Sequence, residues 1–398
     1  MHRSGARHTA AVALCALACV LLPACSSARV GEATRSPARA PVTETGATAP
    51  DGMSAEELRS QAVLTGLDRR QQVLQLFVVG VPVENLAGGI ALAEQGVGGL
   101  FLAGRSEVPA NELAATTRQW QEAAPGVGPW VSVDQEGGAV QTLKGEGFPR
   151  LPSAREQGAM GAAELAGLAD GLGASLAAAG INLDLAPVVD AVPAGTEARN
   201  APIGAWDRQY GATAAEVVPA VRTVVDGLAR HGVTATLKHF PGLGRVQGNT
   251  DDTASVVDTV TTAGDEQVSA FAALADSPAH PFVMASTATY SRIDPTQRAA
   301  FSRVVLTRLL REQLGFDGVV ISDDLGNAEA VAAVPPGERA VRFIAAGGTL
   351  VLTVDPDLLP EMVSAVLDRD GKDPAFTAAL DDAVRTALVA KARAGLLP

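Results

Sequence analysis

Short stretches of consecutive apolar residues alternate with longer amphipathic stretches from about residue 73 to residue 354. Strands that are covered on both faces have continuous apolar sequences of this kind. The stretches between them repeat apolar residues at helical spacing, and glycines that suit helix ends follow three of them. Eight strands alternating with helices predict a (β/α)8 TIM barrel that forms a single catalytic domain. The predicted strands are Val73–Val81, Gly98–Ala103, Trp130–Asp134, Ile181–Val189, Val233–Lys238, Phe282–Ser286, Gly318–Ser322 and Thr349–Val354. Four of the predicted helices are Pro109–Ala123, Ala162–Ala179, Ala212–His231 and Ser302–Leu314.

An open, doubly wound sheet is the alternative to the barrel, because alternation of strands and helices does not by itself require closure. A dinucleotide-binding sheet would carry a Gly-x-Gly-x-x-Gly turn after its first strand, and this chain has none there. Gly242 and Gly244 follow a later strand, but their spacing to Gly248 does not fit that turn. The barrel is therefore the favoured architecture.

The amino terminus has the pattern of an export signal. Arg3 and Arg7 precede an apolar segment at residues 10–22 that is too short to span a bilayer comfortably. It ends in Leu22-Pro23-Ala24-Cys25, which resembles the lipobox of bacterial lipoproteins; an ordinary cleaved signal is the alternative. We therefore expect a signal peptide at residues 1–24 and a lipid-anchored flexible tether at 25–54. The barrel would occupy 55–398, on the outer face of the cytoplasmic membrane.

The amino-acid composition limits the kinds of molecule that the protein is expected to bind. Hydrophobic residues make up 47% of the chain and charged residues 19%, which argues against general disorder. The net charge of −13 disfavours binding to nucleic acid or to an anionic membrane surface. Cys15 and Cys19 lie in the predicted signal, so only Cys25 would remain, and an internal disulfide or a cysteine metal site is excluded. No cofactor or metal is implied, and we expect a monomer.

Ionisable residues follow several of the predicted strands, where a barrel places its active site. Asp134-Gln135-Glu136-Gly137-Gly138 ends the third, and its paired glycines would let the backbone turn sharply and approach a ligand. Asp190 ends the fourth, with Arg208 downstream, and Lys238-His239 ends the fifth. Each has a structural alternative: the acids could cap the next segment, and Arg208 could pair with Asp207 or another surface acid.

The seventh predicted strand ends in Ser322-Asp323-Asp324-Leu325. An aspartate there is costly to bury unless it is paired or hydrogen-bonded. A nearby cation such as Lys238 could keep Asp323 ionised, which a carboxylate nucleophile requires. Alternatively, one of the two aspartates, for which Asp324 is the candidate, caps the following helix.

Three of these segments together resemble the signature blocks of the family 3 glycoside hydrolases. They are the segments at 134–138, 238–242 and 322–325, and their order and spacing are closest to the single-domain β-N-acetylhexosaminidase branch. The resemblance implies that Asp323 is the catalytic nucleophile, which forms a covalent glycosyl–enzyme intermediate. It also implies that the hydroxyls of the terminal sugar are held by Asp134, Arg208, Lys238 and His239.

Two positions depart from the pattern of this family. Thr142 stands where the family has a substrate-binding arginine eight residues after the first aspartate. The loop after the fifth strand has Asn249-Thr250-Asp251 where this branch usually has Asp-Ser-His, whose histidine is the general acid/base. We expect Asp251 to substitute as acid/base, with Asp252 as the second candidate. The alternative is a polar turn without an acid catalyst, which would imply a slow, phosphorolytic or inactive protein.

The sequence thus predicts an exo-acting, retaining β-N-acetylhexosaminidase. It would remove terminal β-linked N-acetylglucosamine from peptidoglycan fragments or related glycans. The alternatives are a non-catalytic cell-wall glycan-binding lipoprotein and another exo-glycosidase such as a β-glucosidase. An exported solute-binding lipoprotein fits the anchor and the tether, but it does not fit the eight strands.

Overall fold

A computed structural model describes residues 52–398 of the protein. The predicted signal peptide, the predicted lipidation site at Cys25 and almost all of the predicted tether lie outside the described residues. None of the helices between residues 52 and 398 is both long enough and apolar enough to cross a bilayer.

Eight parallel strands form one sheet around the core, in the spatial order β7-β6-β5-β4-β3-β2-β1-β8. The last strand in this order meets the first, because a parallel bridge joins Ile321 to Leu350. The amide of Ser322 also donates a hydrogen bond to the Leu350 carbonyl oxygen at 2.9 Å. The sheet is therefore a closed barrel, as predicted. Its strands are β1 Phe77–Pro82, β2 Gly99–Ala103, β3 Trp130–Val133, β4 Leu183–Asp184, β5 Thr234–Phe240, β6 Phe282–Ala285, β7 Val320–Ser322 and β8 Val351–Thr353.

A helix follows each strand and covers the outside of the barrel, which explains why the strands are apolar on both faces. The connection between β6 and β7 is a π-helix, Val304–Gln313, where the sequence predicted a helix at 302–314. The α-helices are α1 Ala55–Gly66, α2 Arg69–Leu74, α3 Gly88–Glu94, α4 Ala110–Ala123, α5 Ala154–Gly158, α6 Ala162–Ala178, α7 Ala214–Ala229, α8 Glu266–Ala275, α9 Pro336–Ala345, α10 Leu359–Arg369 and α11 Pro374–Arg393.

Shorter helices and strands lie in the loops that follow the carboxyl ends of the barrel strands. Gln135–Gly137 pairs with Val140–Gln141 in a hairpin, and Val257–Asp258, Thr289–Tyr290 and Asp294–Arg298 form a three-stranded sheet. Single turns of 3-10 helix occur at Val83–Asn85, Glu197–Arg199, Gly204–Trp206, Ala299–Phe301, Glu329–Val331 and Pro356–Leu358.

Most strands are shorter than the sequence indicated, and the structure gives the reason for two of them. Val73 and Leu74 end α2, whose N-terminus is capped by the side chain of Asp68, and β1 begins only at Phe77. In the fourth run the strand stops at Asp184. Pro187 has no N–H to donate to a ladder, and pairing resumes as a bridge between Val188 and Lys238. The predicted helix ends are confirmed: Gly180, Gly232 and Gly315 all have φ between 72° and 75°.

Candidate active site

A cavity of about 250 Å³ opens at the carboxyl ends of the barrel strands. All six residues that the sequence predicted for catalysis or sugar binding line this cavity: Asp134, Arg208, Lys238, His239, Asp251 and Asp323. They come from four different strand-to-helix connections, so the closed barrel is what brings them together. The apolar part of the wall is formed by Phe101, Leu185, Pro202, Leu243, Met284, Leu352 and Val354.

A cluster of buried, charged side chains forms one side of the cavity. The Lys238 ammonium lies 2.7 Å from Asp134 Oδ1 and 2.6 Å from Glu136 Oε1. The Arg208 guanidinium donates two hydrogen bonds to the Glu136 carboxylate, at 2.8 and 2.7 Å. It donates a third to the Pro202 carbonyl oxygen at 2.7 Å. Two carboxylates thus balance two cations, which is the condition under which buried charges are tolerated.

The pKa shifts agree with this arrangement. Burial alone would raise the pKa of Glu136, but Arg208 and Lys238 outweigh burial and hold this pKa well below its usual range. Burial would lower the pKa of Lys238, but Asp134 and Glu136 outweigh it and raise this pKa. Glu136 and Lys238 therefore stay charged at neutral pH, and the cluster offers both donors and acceptors of hydrogen bonds to a ligand.

Replacing Glu136 by glutamine should destabilise the fold, because Arg208 would lose the carboxylate that it contacts and Lys238 would lose one of its two. Breaking a buried ion pair from one side costs about 3–5 kcal/mol, which denaturant unfolding would detect. Asp134→Asn is the matched control: the Asp134 side chain is 27% exposed against 3% for Glu136, and Glu136 would still contact both cations. An equal loss of stability in the two variants would contradict the central role of Glu136.

His239 is held by a carboxylate from the neighbouring strand end. Its Nδ1 lies 2.6 Å from Asp190 Oδ2, and Asp190 Oδ1 accepts hydrogen bonds from the amides of His239 and Leu243, at 3.2 and 2.7 Å. A carboxylate on Nδ1 fixes the tautomer and the ring, so Nε2 is the nitrogen left for substrate. The Lys238–His239 and Phe240–Pro241 peptide bonds of this segment are cis.

Asp323 follows β7 and faces the cavity. Burial raises its pKa to about 6; His239 opposes this rise, and the negative charge of Asp251 adds to it. Its Oδ1 accepts a hydrogen bond from the amide of Asp324 at 3.0 Å. Lys238, which the sequence offered as one cation that could keep Asp323 ionised, instead pairs with Asp134 and Glu136. The side chain that favours the ionised form of Asp323 is His239.

Asp324 has a structural role as well as a place in the cavity wall. Its oxygens accept hydrogen bonds from the amides of Gly326 at 2.8 Å, Asn327 at 2.9 Å and Val354 at 2.9 Å. The prediction that it caps the following helix is wrong in detail, because α9 begins only at Pro336. Asp324 instead closes the turn after β7 and ties it to the end of β8.

The loop that carries Asp251 is fastened to the loop after β7. The amide of Glu329 donates to the Asp251 carbonyl oxygen at 3.1 Å, and the amide of Ala330 donates to that of Thr250 at 3.0 Å. Both Asp251 and Asp252 are exposed, but only Asp251 lines the cavity. Asp252 accepts a hydrogen bond from the Asn249 side chain at 3.1 Å. Of the two acid/base candidates, Asp251 is therefore the one that can reach substrate.

Two interpretations of the segments that follow the third and fourth strands need correction. Arg208 does not pair with Asp207, which instead lies 3.1 Å from Arg155. The paired glycines do turn the chain, with φ of 102° at Gly137 and 56° at Gly138. Their lack of a Cβ, however, makes room for the backbone at residues 152–153 rather than for a ligand.

Sequence reasoning missed the roles of three acids. Glu136 was noted only as part of its motif, and Asp190 only as a strand end; their partners lie far along the chain. Asp184 was not singled out at all. It is fully buried, with Oδ1 accepting from the Gln135 amide at 3.0 Å and Oδ2 without a partner. Burial raises the pKa of Asp184 to about 8, so this acid is largely neutral beside the charged cluster. Asp184 lies within a run of apolar residues, and this position was the signal in the sequence that could have identified it as a buried acid.

A metal would need several ligands close together. Within residues 52–398, no three side chains of His, Cys, Asp or Glu are grouped in a way that could hold a metal ion.

Comparison with known proteins agrees with this geometry. The family model described as glycosyl hydrolase family 3 N terminal domain matches residues 69–387. The crystal structure of a β-N-acetylhexosaminidase from Beutenbergia cavernae DSM 12333 is 47% identical, with a TM-score of 0.78, over 82% of this chain and 98% of that one. A β-hexosaminidase from Methylococcus capsulatus is 32% identical over 70% of this chain and 80% of its own length. One from Bordetella pertussis is 34% identical over 67% of this chain and 76% of its own. The chain therefore belongs to glycoside hydrolase family 3.

Proposed function

We propose that the protein is an exo-acting, retaining β-N-acetylhexosaminidase that removes terminal β-linked N-acetylglucosamine from peptidoglycan fragments or related glycans. The observation that carries this proposal is that Asp323 lines the same small cavity as the cluster of Asp134, Lys238 and Arg208. The names of the relatives favour a hexosamine over glucose as the terminal sugar.

The size and walls of the cavity support exo action on one sugar ring. It has a volume of about 250 Å³, and it is enclosed by side chains from β5 and from the loops after β3, β4, β5 and β7. Lys238 and Arg208 would donate hydrogen bonds to the sugar hydroxyls, and Asp134 would accept them. Such contacts fix the ring with its anomeric carbon above Asp323.

The reaction then follows from two carboxyl groups with different tasks. Asp323 attacks the anomeric carbon, the glycosidic bond breaks, and the leaving oxygen takes the proton of Asp251. A covalent glycosyl–Asp323 ester is left. Asp251 next removes a proton from water, the water oxygen bonds to the anomeric carbon, and Asp323 departs as a carboxylate. Two displacements return the β configuration.

The direct test is to incubate the protein with a β-linked N-acetylglucosamine disaccharide and follow the released sugar by proton NMR. The β-anomer should be released first and then equilibrate. Release of the α-anomer would contradict a retaining mechanism, and binding without any release would support the glycan-binding alternative.

The pH dependence of kcat/KM should reflect Asp323. The nucleophile must be ionised, so kcat/KM should rise with pH through about 6, the raised pKa of Asp323. The measurement is the pH profile of kcat/KM with an activated aryl glycoside, whose leaving group depends least on protonation. An acid limb well below pH 6 would contradict the raised pKa of Asp323.

We also propose that the protein is exported and anchored through a lipid on Cys25, with residues 25–54 as the tether. The support is the lipobox-like Leu22-Pro23-Ala24-Cys25 after an apolar segment. In cells, Cys25→Ala should move the protein from the membrane fraction to the medium. An unchanged distribution would contradict the anchor.

A further inference from the structure

One tryptophan is exposed in the loop after β4, the loop that also carries Arg208. The chain has three tryptophans; Trp120 and Trp130 are buried, whereas Trp206 is 58% exposed. It is the most exposed of the large apolar side chains among residues 52–398. It ends the 3-10 turn Gly204–Trp206 and lies two residues before Arg208. An exposed indole of this size in a loop that also supplies a side chain to the cavity suggests a contact surface for a ligand.

Trp206 lines an open groove of about 620 Å³. One wall comes from the loop after β4, which also carries Arg208, and the other from Gly138 and Ala139, which follow Glu136 in the loop after β3. The ion pair between Arg208 and Glu136 joins these two loops. The groove is therefore built by the same loops that build the sugar cavity. The start of α5 completes it with Ser153, Arg155, Glu156 and Ala159.

The tryptophan sits on a fixed backbone. The side chain of Asn200 is 2% exposed and accepts hydrogen bonds from the amides of Ile203 and Gly204, at 3.2 and 2.7 Å. It also donates to the carbonyl oxygens of Leu243 and Val246, both at 2.7 Å. The loop that presents Trp206 is thus tied to the loop after β5. A rigid aromatic surface loses little entropy when a ligand binds.

The polar groups around Trp206 suit a neutral, hydroxylated ligand. Arg155 lies 3.1 Å from Asp207, so its charge is compensated, and the Glu156 carboxylate accepts from the Ser153 hydroxyl at 2.8 Å. One positive and two negative side chains leave the groove without a surplus cation, which disfavours an anionic peptide. A flat apolar ring flanked by hydrogen-bonding side chains matches the apolar face and the hydroxyl rim of a pyranose.

We propose that this groove is a second saccharide subsite, which binds a sugar of the glycan beyond the terminal residue held in the catalytic cavity. The inference rests on the proposed function, because it takes the substrate to be an oligosaccharide. In this proposal the indole ring of Trp206 stacks on the second sugar. The groove then determines how strongly the enzyme prefers longer oligosaccharides.

Tryptophan fluorescence of the full chain tests this directly. With Trp120 and Trp130 buried, iodide quenching reports on Trp206. In the Asp323→Asn variant, which would not consume the ligand, a β-1,4-linked N-acetylglucosamine tetrasaccharide should shift the emission to the blue and reduce iodide quenching at least about twofold. The monosaccharide, which fills only the cavity, should have a much smaller effect. An equal response to both sugars, or no response to the tetrasaccharide, would overturn the inference.

Kinetics supply an independent readout. We compare kcat/KM for the tetrasaccharide with kcat/KM for an aryl N-acetylglucosaminide. Trp206→Ala should lower this ratio about tenfold, the effect of losing one aromatic contact, and Trp206→Phe should restore most of it. Leu58→Ala, which truncates a 43% exposed side chain on α1, is the matched control and should leave the ratio unchanged.

The two proposals fail differently. An unchanged ratio in Trp206→Ala overturns the subsite while the proposed activity stands. If the wild type releases no sugar from any substrate, the proposed activity fails, and the fluorescence titration alone then decides the subsite.

Discussion

Replacing Asp323 by alanine should lower kcat by about 10⁴-fold or more, the scale of loss seen when a catalytic nucleophile is removed. Without this carboxylate no ester can form with the anomeric carbon, and the cavity offers no second acid in the same role. Asp324 lies next to it, but three backbone amides occupy its oxygens. The measurement is the rate of sugar release from an aryl N-acetylglucosaminide.

A small external nucleophile distinguishes loss of the nucleophile from general damage. Azide should enter the space left by Asp323→Ala, attack an activated aryl glycoside directly, and yield the α-glycosyl azide after one displacement. A β-glycosyl azide, or near-normal activity in the variant, would contradict the assignment of Asp323.

The stability of Asp323 variants provides a further control. The folded pKa is raised to about 6 from an ordinary value of 3.8, so the unfolded chain ionises first. The contribution of this group to stability is fully present below pH 3.8 and is lost as the pH rises to about 6. At neutral pH the ionised carboxylate is therefore a cost to the fold. Asp323→Asn should unfold at the same or a higher temperature than the wild type, so inactivity would not reflect misfolding.

Replacing Asp251 by asparagine should have an effect that depends on the leaving group. General acid catalysis contributes about 10²–10⁴-fold, and a sugar leaving group needs all of it, because its oxygen must be protonated as the bond breaks. A dinitrophenolate leaves without a proton, so kcat/KM for that substrate should fall by less than about tenfold. The comparison of the two substrates is the measurement.

Asp252→Asn is the matched control, since it removes the adjacent carboxylate, which is exposed but does not line the cavity. It should leave the activity on both substrates nearly unchanged. The interpretation fails if Asp251→Asn loses equal activity on both substrates, or if Asp252→Asn shows the leaving-group dependence. Azide should also accelerate turnover by Asp251→Asn and give the β-glycosyl azide, because azide needs no general base.

The barrel could be predicted from the sequence because its signal is repeated. Each strand is short and apolar throughout, as burial on both faces requires, and polar residues follow at its carboxyl end. The first and last residues of individual helices and strands could not be predicted as well. Val73 and Leu74 read as the start of a strand, yet they end a helix, since a short apolar run cannot reveal its own backbone conformation.

The candidate site could be predicted as a set of positions but not as a set of contacts. Asp134, Lys238 and Asp323 lie at the carboxyl ends of predicted strands, so their convergence was expected from the architecture. Which acid pairs with which cation depends on side-chain geometry between residues that are far apart in sequence. Glu136 is 72 residues from Arg208, for example, and Asp190 is 49 residues from His239. The fold decides those pairs, so the sequence could suggest Lys238 as a partner of Asp323 but could not identify His239.

The position of Asn200 has a consequence for protein engineering. Its side chain hydrogen-bonds both to the loop after β4 and to the loop after β5. The first of these loops carries Trp206, and the second leads to Asp251. Grafting or lengthening one of these loops alone would leave buried amide or carbonyl groups without partners. A redesign of substrate preference should therefore replace residues 200–208 and residues 243–251 together, because the two segments share these hydrogen bonds.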